Sequence, residues 1–152
     1  MVKIAAESEI LIARKQEVVF AYFADLRNEP VWNQGHVKNV VMTSPAPIGQ
    51  GTTFEGEHAG FGKATWRITE YDPPKHVVID GLVGGAPYRY VGDLKPQGDS
   101  TLFSGRIEWE PQGSWRLLGR LWSWILKFQA GRSFRNLRNA LIRTTTEDEI
   151  KE

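Results

Sequence analysis

The sequence predicts an α+β fold: a curved antiparallel sheet of about seven strands wrapped around one long C-terminal helix, with two short helices after the first strand. Three observations predict it. Short strand-like runs follow one another from residue 52 to 110, separated by turn sequences. Residues 114–143 then read as a single helix. Finally, a row of strands cannot bury its apolar face alone, so the helix must cover it.

Taken in order, residues 2–14 read as a strand with Ile10 and Ile12 on one face. Residues 16–24 form a short helix, since Val19, Phe20 and Phe23 fall at helical spacing. Asp25 caps a second short segment over 26–34, which holds Pro30 and Trp32. Strand character returns at 36–43, and SPAPIGQG at 44–51 is a loop by its Pro and Gly content. Five strands follow, at 52–58, 63–71, 76–82, 87–94 and 101–110, with turn chemistry between them (HAGFG, DPPK, VGGA, PQGD). Such short connections imply an antiparallel meander. The long helix starts at Ser114 as its cap and ends at 143; the remaining TTTEDEIKE is polar and frays. Residues 1–144 are thus one domain and 145–152 a polar tail.

Composition narrows the function classes. At 152 residues, with 41% hydrophobic content, the chain can bury a real core. A net charge of +1 gives no global case for nucleic-acid binding. Cysteine is absent, which excludes disulfides, thiolate metal sites, iron–sulfur clusters and a Cys nucleophile. The three His show no metal-ligand spacing, and no Ser-His-Asp order, HExxH, GxGxxG or P-loop occurs, so no cofactor or metal is expected. Lys3, Glu7, Glu9, Arg14, Lys15 and Glu17 interrupt residues 1–20, leaving no signal-peptide core, and no apolar run is long enough to span a bilayer. A cytoplasmic protein is the expectation.

Several stretches, in order, carry a family resemblance: EILIARKQEVVFAYFADLRNEPVWN at 9–33, IGQGT at 48–52, WRITEYDPPKHV at 66–77 and YRYVGDLKPQGDSTLFSGRIEWEPQG at 88–113. Together they resemble the SRPBCC superfamily, the START-domain, birch-pollen-allergen and polyketide cyclase/dehydrase group. The resemblance implies the helix-grip fold and a hydrophobic cavity between sheet and helix. It implies no single reaction, because the superfamily has no universal catalytic set. The Trp-rich helix start departs from its pattern.

Strand parity maps the side chains that face this cavity. Phe54 and His58 oppose Glu55 and Glu57; Ala64, Trp66 and Ile68 oppose Arg67; Tyr88 and Tyr90 oppose Arg89. Phe103, Gly105, Ile107 and Trp109 oppose Arg106 and Glu108, the cleanest alternation in the chain. Residues 76–82 are ambiguous: either Val77 and Ile79 or Val78 and Asp80 face inward. On the helix, Leu118, Trp122, Leu126, Ala130, Phe134, Leu137 and Leu141 form a sheet-facing stripe. The expected ligand contacts are therefore Trp32 (near the cavity mouth), Phe54, Trp66, Ile68, Tyr88, Tyr90, Phe103, Ile107, Trp122 and Phe134. Plain core packing competes with ligand contact for each of them. Tyr88 and Tyr90 stand out because a buried hydroxyl needs a partner.

For chemistry, His58 and Tyr90 are the candidate catalytic groups: His58 is the one inward-facing His by parity, and a buried Tyr can donate to an enolate oxygen. Against them, His58 lies beside a turn, where strand ends meet solvent, and Asp80 reads as a solvated turn acid.

A second stripe on the helix, Leu117, Leu121, Trp124 and Phe128, has Arg116, Arg120 and Lys127 around it. Residues 115–143 hold seven basic side chains and no acid. Three explanations stand open: cover by the short helices, a homodimer interface, or a membrane surface. The leading function is binding of a small hydrophobic molecule of lipid, polyketide or aromatic type. The alternatives are a polyketide cyclase or dehydratase and a membrane-docking lipid carrier.

Overall fold

The computed structural model describes residues 3–33 and 35–151, without the side chains of Trp115 and 144–151. The elements run β1 (Ile4–Ile12), α1 (Gln16–Ala24), a 3-10 turn (Leu26–Asn28), α2 (Glu29–Trp32), β2 (Val37–Met42), β3 (Thr53–His58), β4 (Gly62–Asp72), β5 (His76–Val83), β6 (Ala86–Gln97), β7 (Ser100–Trp109), a second 3-10 segment (Gly113–Leu118) and α3 (Gly119–Lys151). The strands form one seven-stranded antiparallel sheet in the order β1-β7-β6-β5-β4-β3-β2. This is the helix-grip fold that the resemblance implied.

Alternation in the strands sets which side chains meet α3. In β7, every second residue from Thr101 to Trp109 is buried and the residues between are half-exposed. The ambiguous strand β5 turns Val77, Ile79 and Val83 fully inward. Asp80 lies on its outer face, paired with Arg89 at 2.6 Å and accepting from Thr69 at 3.0 Å. It is therefore a mid-strand surface acid rather than a turn acid. Asp25 does cap the 3-10 turn, accepting from the Arg27 N–H at 3.1 Å.

The core is layered aromatics. Phe103 packs edge-on against Phe23 at 4.8 Å and against Phe134 at 5.3 Å. Two glycines in the sheet make room for this. Gly92 and Gly105 are register partners on β6 and β7. A Cβ on Gly105 would lie 2.3 Å from Phe134 and 2.9 Å from Phe103, and one on Gly92 would lie 2.8 Å from Phe23. The two residues form a hollow in the sheet that the rings fill.

The C-terminal helix begins later than the sequence suggested. Residues 113–118 are 3-10, with no side-chain cap at their N-terminus, and the α-helix starts at Gly119 instead of being capped by Ser114. A 3-10 segment advances three residues per turn, so it shifts the phase of the apolar stripe. Leu118 is consequently half-exposed and does not face the sheet, whereas Leu126, Ala130, Phe134, Leu137 and Leu141 do. The backbone of α3 continues to Lys151, beyond the expected end at 143. The side chains of the polar tail lie outside the described residues.

The glycine hollow makes a direct prediction. Gly105→Ala should destabilise the protein by about 1–3 kcal/mol, because overpacking against Phe134 and Phe103 forces one of them off its rotamer. A urea titration reads this as a lower midpoint at unchanged slope; an unchanged midpoint would contradict the packing account.

Candidate functional site

The most unusual group in the interior is a carboxylate. Glu29 opens α2, a four-residue helix with Pro at its start. Trp32, three residues on, is driven into the core, where its ring meets Phe23 at 5.9 Å and Tyr90 and Phe134 at 6.4 Å. Residues three and four apart share a helix face. Burying Trp32 thus carries Glu29 inward with it, and Asn33, four residues after Glu29, follows; Glu29 is 0% exposed.

Glu29 is held by three elements. Its Oε1 accepts from the Tyr90 hydroxyl on β6 and from Asn33 Nδ2 at 3.1 Å. Asn33 Oδ1 in turn accepts from Ser133 on α3 at 3.0 Å. Oε2 has no partner among the described residues. Burial pushes the carboxyl up to about 7, and the hydrogen bonds from Tyr90 and Asn33 offset only part of that. Beside this group, Tyr88 packs edge-on against Tyr90 at 5.0 Å. Burial, then the neighbouring Glu29, raises both phenols, so both stay neutral.

Tyr88 also borders a pocket. This is a small cavity of about 40 Å³ between the β3–β4 turn, the ends of β5 to β7 and the first turns of α3, lined by His58, Phe61, Val83, Tyr88, Trp109, Trp122, Ile125, Leu126 and Gln129. Three of its walls are aromatic rings in mutual edge contact: Phe61 on Trp109 at 5.3 Å, Trp109 on Trp122 at 5.3 Å and Phe61 on Trp122 at 6.4 Å. His58 ends β3 and shares its Nδ1 with the Ala59 carbonyl at 3.2 Å. Burial lowers its pKa, keeping the ring neutral and basic at physiological pH. A far larger depression of about 710 Å³ lies over β2 and β3, but it is open and edged by Lys38, Glu55, Glu57 and Lys63. Small apolar ligands select enclosed apolar sites, so the smaller pocket is the candidate.

The residues singled out from the sequence divide between core and pocket. Tyr88, Trp122 and His58 line the pocket together. Phe54, Trp66, Ile68, Tyr90, Phe103, Ile107 and Phe134 are buried in the core. Trp32 is only 1% exposed and sits at the centre of the aromatic layer, not at a cavity mouth. Glu29, Asn33 and Ser133 were not anticipated. The one signal for Glu29 was its three-residue spacing from Trp32.

The second stripe on α3 is uncovered. Leu117 is 86%, Trp124 68% and Phe128 62% exposed, so the short helices do not shield it. Trp124 and Phe128 stack on each other at 6.4 Å. No helix among the described residues is long and apolar enough to cross a membrane.

Comparison with known proteins places this architecture. The family described as polyketide cyclase / dehydrase and lipid transport matches residues 3–151. The chain belongs to that family. This polyketide cyclase/dehydrase-family protein is also similar to several solved structures. TTHA0849 from Thermus thermophilus is 17% identical, with a TM-score of 0.74 over 92% of this chain and 98% of that one. A truncated norcoclaurine synthase from Thalictrum flavum is 13% identical, with a TM-score of 0.64 over 92% and 94%. The di-domain ARO/CYC StfQ from the steffimycin biosynthetic pathway is 12% identical, with a TM-score of 0.70; the match covers 95% of this chain and 52% of StfQ. At such identities the likeness shows the helix-grip fold alone. A search of curated protein sequences finds no match.

The buried carboxylate sets a pH dependence. Below its ordinary value of 4.5, Glu29 is protonated in both states and its burial costs little. As pH rises from there to about 7, the unfolded chain releases the proton while the folded one retains it, so stability is lost. The loss amounts to about 3 kcal/mol at most. Glu29→Gln should remove it while leaving the histidine contributions in place. The difference in unfolding free energy between wild type and variant should therefore shift against wild type by that order on going from acid to neutral pH. A pH-independent difference in urea titrations would show that Glu29 is not buried as described.

Proposed function

We propose that this protein binds a small hydrophobic molecule in the pocket bounded by Phe61, Tyr88, Trp109, Trp122 and Leu126. The single observation that carries this reading is the aromatic lining of an otherwise unfilled space beneath α3. Elsewhere the interior is closed by Trp32, Phe23, Phe103 and Phe134. At about 40 Å³ the pocket is smaller than an aromatic ring, so occupation displaces the helix start. That segment buries little of itself: from Gln112 onward, Leu126 is the first fully buried side chain among the described residues. The family's range, from polyketide cyclase to lipid transport, supports an apolar ligand without choosing one.

A cyclase or dehydratase reading would draw on His58, whose neutral imidazole borders the pocket. Its other expected group, Tyr90, is committed to Glu29 and lies behind Tyr88. The binding reading is therefore the one the geometry supports best. It is tested with the neutral fluorophore N-phenyl-1-naphthylamine. Leu126→Trp fills the pocket and should weaken binding at least tenfold with the melting temperature retained; equal binding by this variant would overturn the proposal.

The exposed face of α3 favours a second reading, a carrier that collects its ligand at an anionic lipid surface. Leu117, Leu121, Trp124 and Phe128 project from the same helical segment whose other face, Trp122 and Leu126, walls the pocket. Arg116, Arg120 and Lys127 flank them with no acid between 111 and 143. Apolar side chains among basic ones match an anionic membrane interface, where each basic residue contributes about 1 kcal/mol. Binding to phosphatidylserine-containing vesicles at low salt should weaken roughly tenfold in Arg120→Glu and markedly in Trp124→Ala. Absence of vesicle binding, or concentration-dependent dimerisation lost in Trp124→Ala, would replace the membrane with a second copy of the chain.

A further inference from the structure

Where the start of α3 meets the sheet, two histidines stand side by side. His58 ends β3, is buried, and walls the pocket. His36 lies on the turn between α2 and β2, with its ring 6.3 Å from that of His58. The backbone holds the pair together: the Ala59 N–H donates to the His36 carbonyl at 2.7 Å, and Val37 and His58 are register partners. The same turn is tied to α3. The His36 N–H donates to the Asn33 carbonyl at 3.1 Å, and the Ser133 hydroxyl donates to the Asn33 side chain at 3.0 Å. Arg132, next to Ser133, is the α3 charge that acts on His36.

The pair faces no counter-charge. Across the pocket, α3 presents Trp122, Leu126 and the neutral Gln129, and β6 presents the neutral Tyr88. Glu55 and Glu57 alternate with His58 along β3 and are paired with Lys63 at 3.9 Å and Lys38 at 3.6 Å. Burial lowers the pKa of His58 most; the Ala59 carbonyl opposes this and His36 adds to it. Burial, then Arg132, lowers that of His36. Charging either ring here costs its hydration with no carboxylate to offset the loss, and adds repulsion from the other ring and from Arg132. The rings regain water when the wall parts.

We propose that His36 and His58 form an acid-operated latch: protonation of the pair, beside Arg132, drives the first turns of α3 off the sheet and opens the pocket. The later turns stay seated through Phe134, Leu137 and Leu141. This inference rests on the ligand-binding reading above and adds its regulation.

The sign of the effect singles out this pair. A histidine whose pKa is depressed in the closed state stabilises that state above its ordinary value of 6.5, and the contribution is lost as pH falls below it. Glu29 and His76 act in the opposite direction. The pKa of each is raised, that of His76 by Asp93 and Glu70, so both stabilise the closed fold on acidification.

The test follows amide hydrogen exchange by mass spectrometry at pH about 7.5 and about 5.5, normalised to an unstructured peptide at each pH, without ligand. In wild type, protection over residues 119–129 should fall about tenfold at the lower pH, with that over 134–141 retained. His58→Gln should abolish the fall, and His36→Asn should reduce it. Association of N-phenyl-1-naphthylamine, which is neutral over this range, should accelerate by a similar factor in wild type. Unchanged wild-type protection, an equal fall in His58→Gln, or association at the same rate at both pH values would overturn the latch while leaving the binding pocket intact. An acid-labile helix start with no fluorophore binding at either pH would instead overturn the ligand-binding reading, and the regulatory role with it. If His58→Gln fails to fold, His36→Asn decides: an undiminished fall would overturn the pairing.

Discussion

The packing of Phe134 against Gly105 is the contact on which the rest of the structure depends. A long helix can lie close to a curved sheet only where the sheet yields space, and Gly92 and Gly105 provide it side by side. With Phe134 seated there, Phe103, Phe23 and Trp32 close around it as one aromatic layer. That layer seals the middle of the fold. Towards the start of α3 the helix meets the sheet through Trp122, which packs on Trp109 and Phe61, and the space beside these rings is the pocket.

The same layer explains the buried carboxylate. Trp32 must enter the core, and the geometry of a helical turn brings Glu29 with it; Asn33, four residues after Glu29, shares its face. A carboxylate so placed is tolerable only with hydrogen-bond donors and a proton readily regained. Tyr90 and Asn33 supply the donors, and Ser133 extends the network to α3. A sheet strand, a short helix and the long helix are thereby linked through one acid. The arrangement costs stability near neutral pH, a cost that an apolar residue at position 29 would avoid. It ties the Tyr90 hydroxyl to Glu29, with the Tyr88 ring packed against Tyr90 and bordering the pocket.

Much of this was legible in the sequence. The alternation of Phe103, Gly105, Ile107 and Trp109 with Ser104, Arg106 and Glu108 identifies the inner face of β7 residue by residue, because a strand has a strict period of two. Parity likewise placed Tyr88 and Tyr90 inward. Less was legible where the backbone leaves a regular period. The 3-10 segment before α3 turned Leu118 outward, since its period is three rather than 3.6. A Glu next to Pro at the start of a short helix reads as a surface acid favoured by the helix dipole. Only the tertiary position of Trp32 reveals that Glu29 faces the interior. The sequence resemblance implied a cavity between sheet and helix without its size; in the structure most of the inward-facing aromatics pack on one another, and the small apolar pocket lies at the start of α3.

The central claim is that this end of the molecule, and no other surface, receives the ligand. The most direct measurement is a 15N–1H correlation spectrum of the tryptophan indoles during titration with N-phenyl-1-naphthylamine. Each indole reports on its own location, from the pocket wall (Trp109 and Trp122) to the filled core (Trp32 and Trp66) and the outer helix face (Trp124). The account predicts saturable shifts at Trp109 and Trp122, with Trp32, Trp66 and Trp124 nearly unmoved. Shifts centred on Trp124, or none at Trp109 and Trp122, would contradict it.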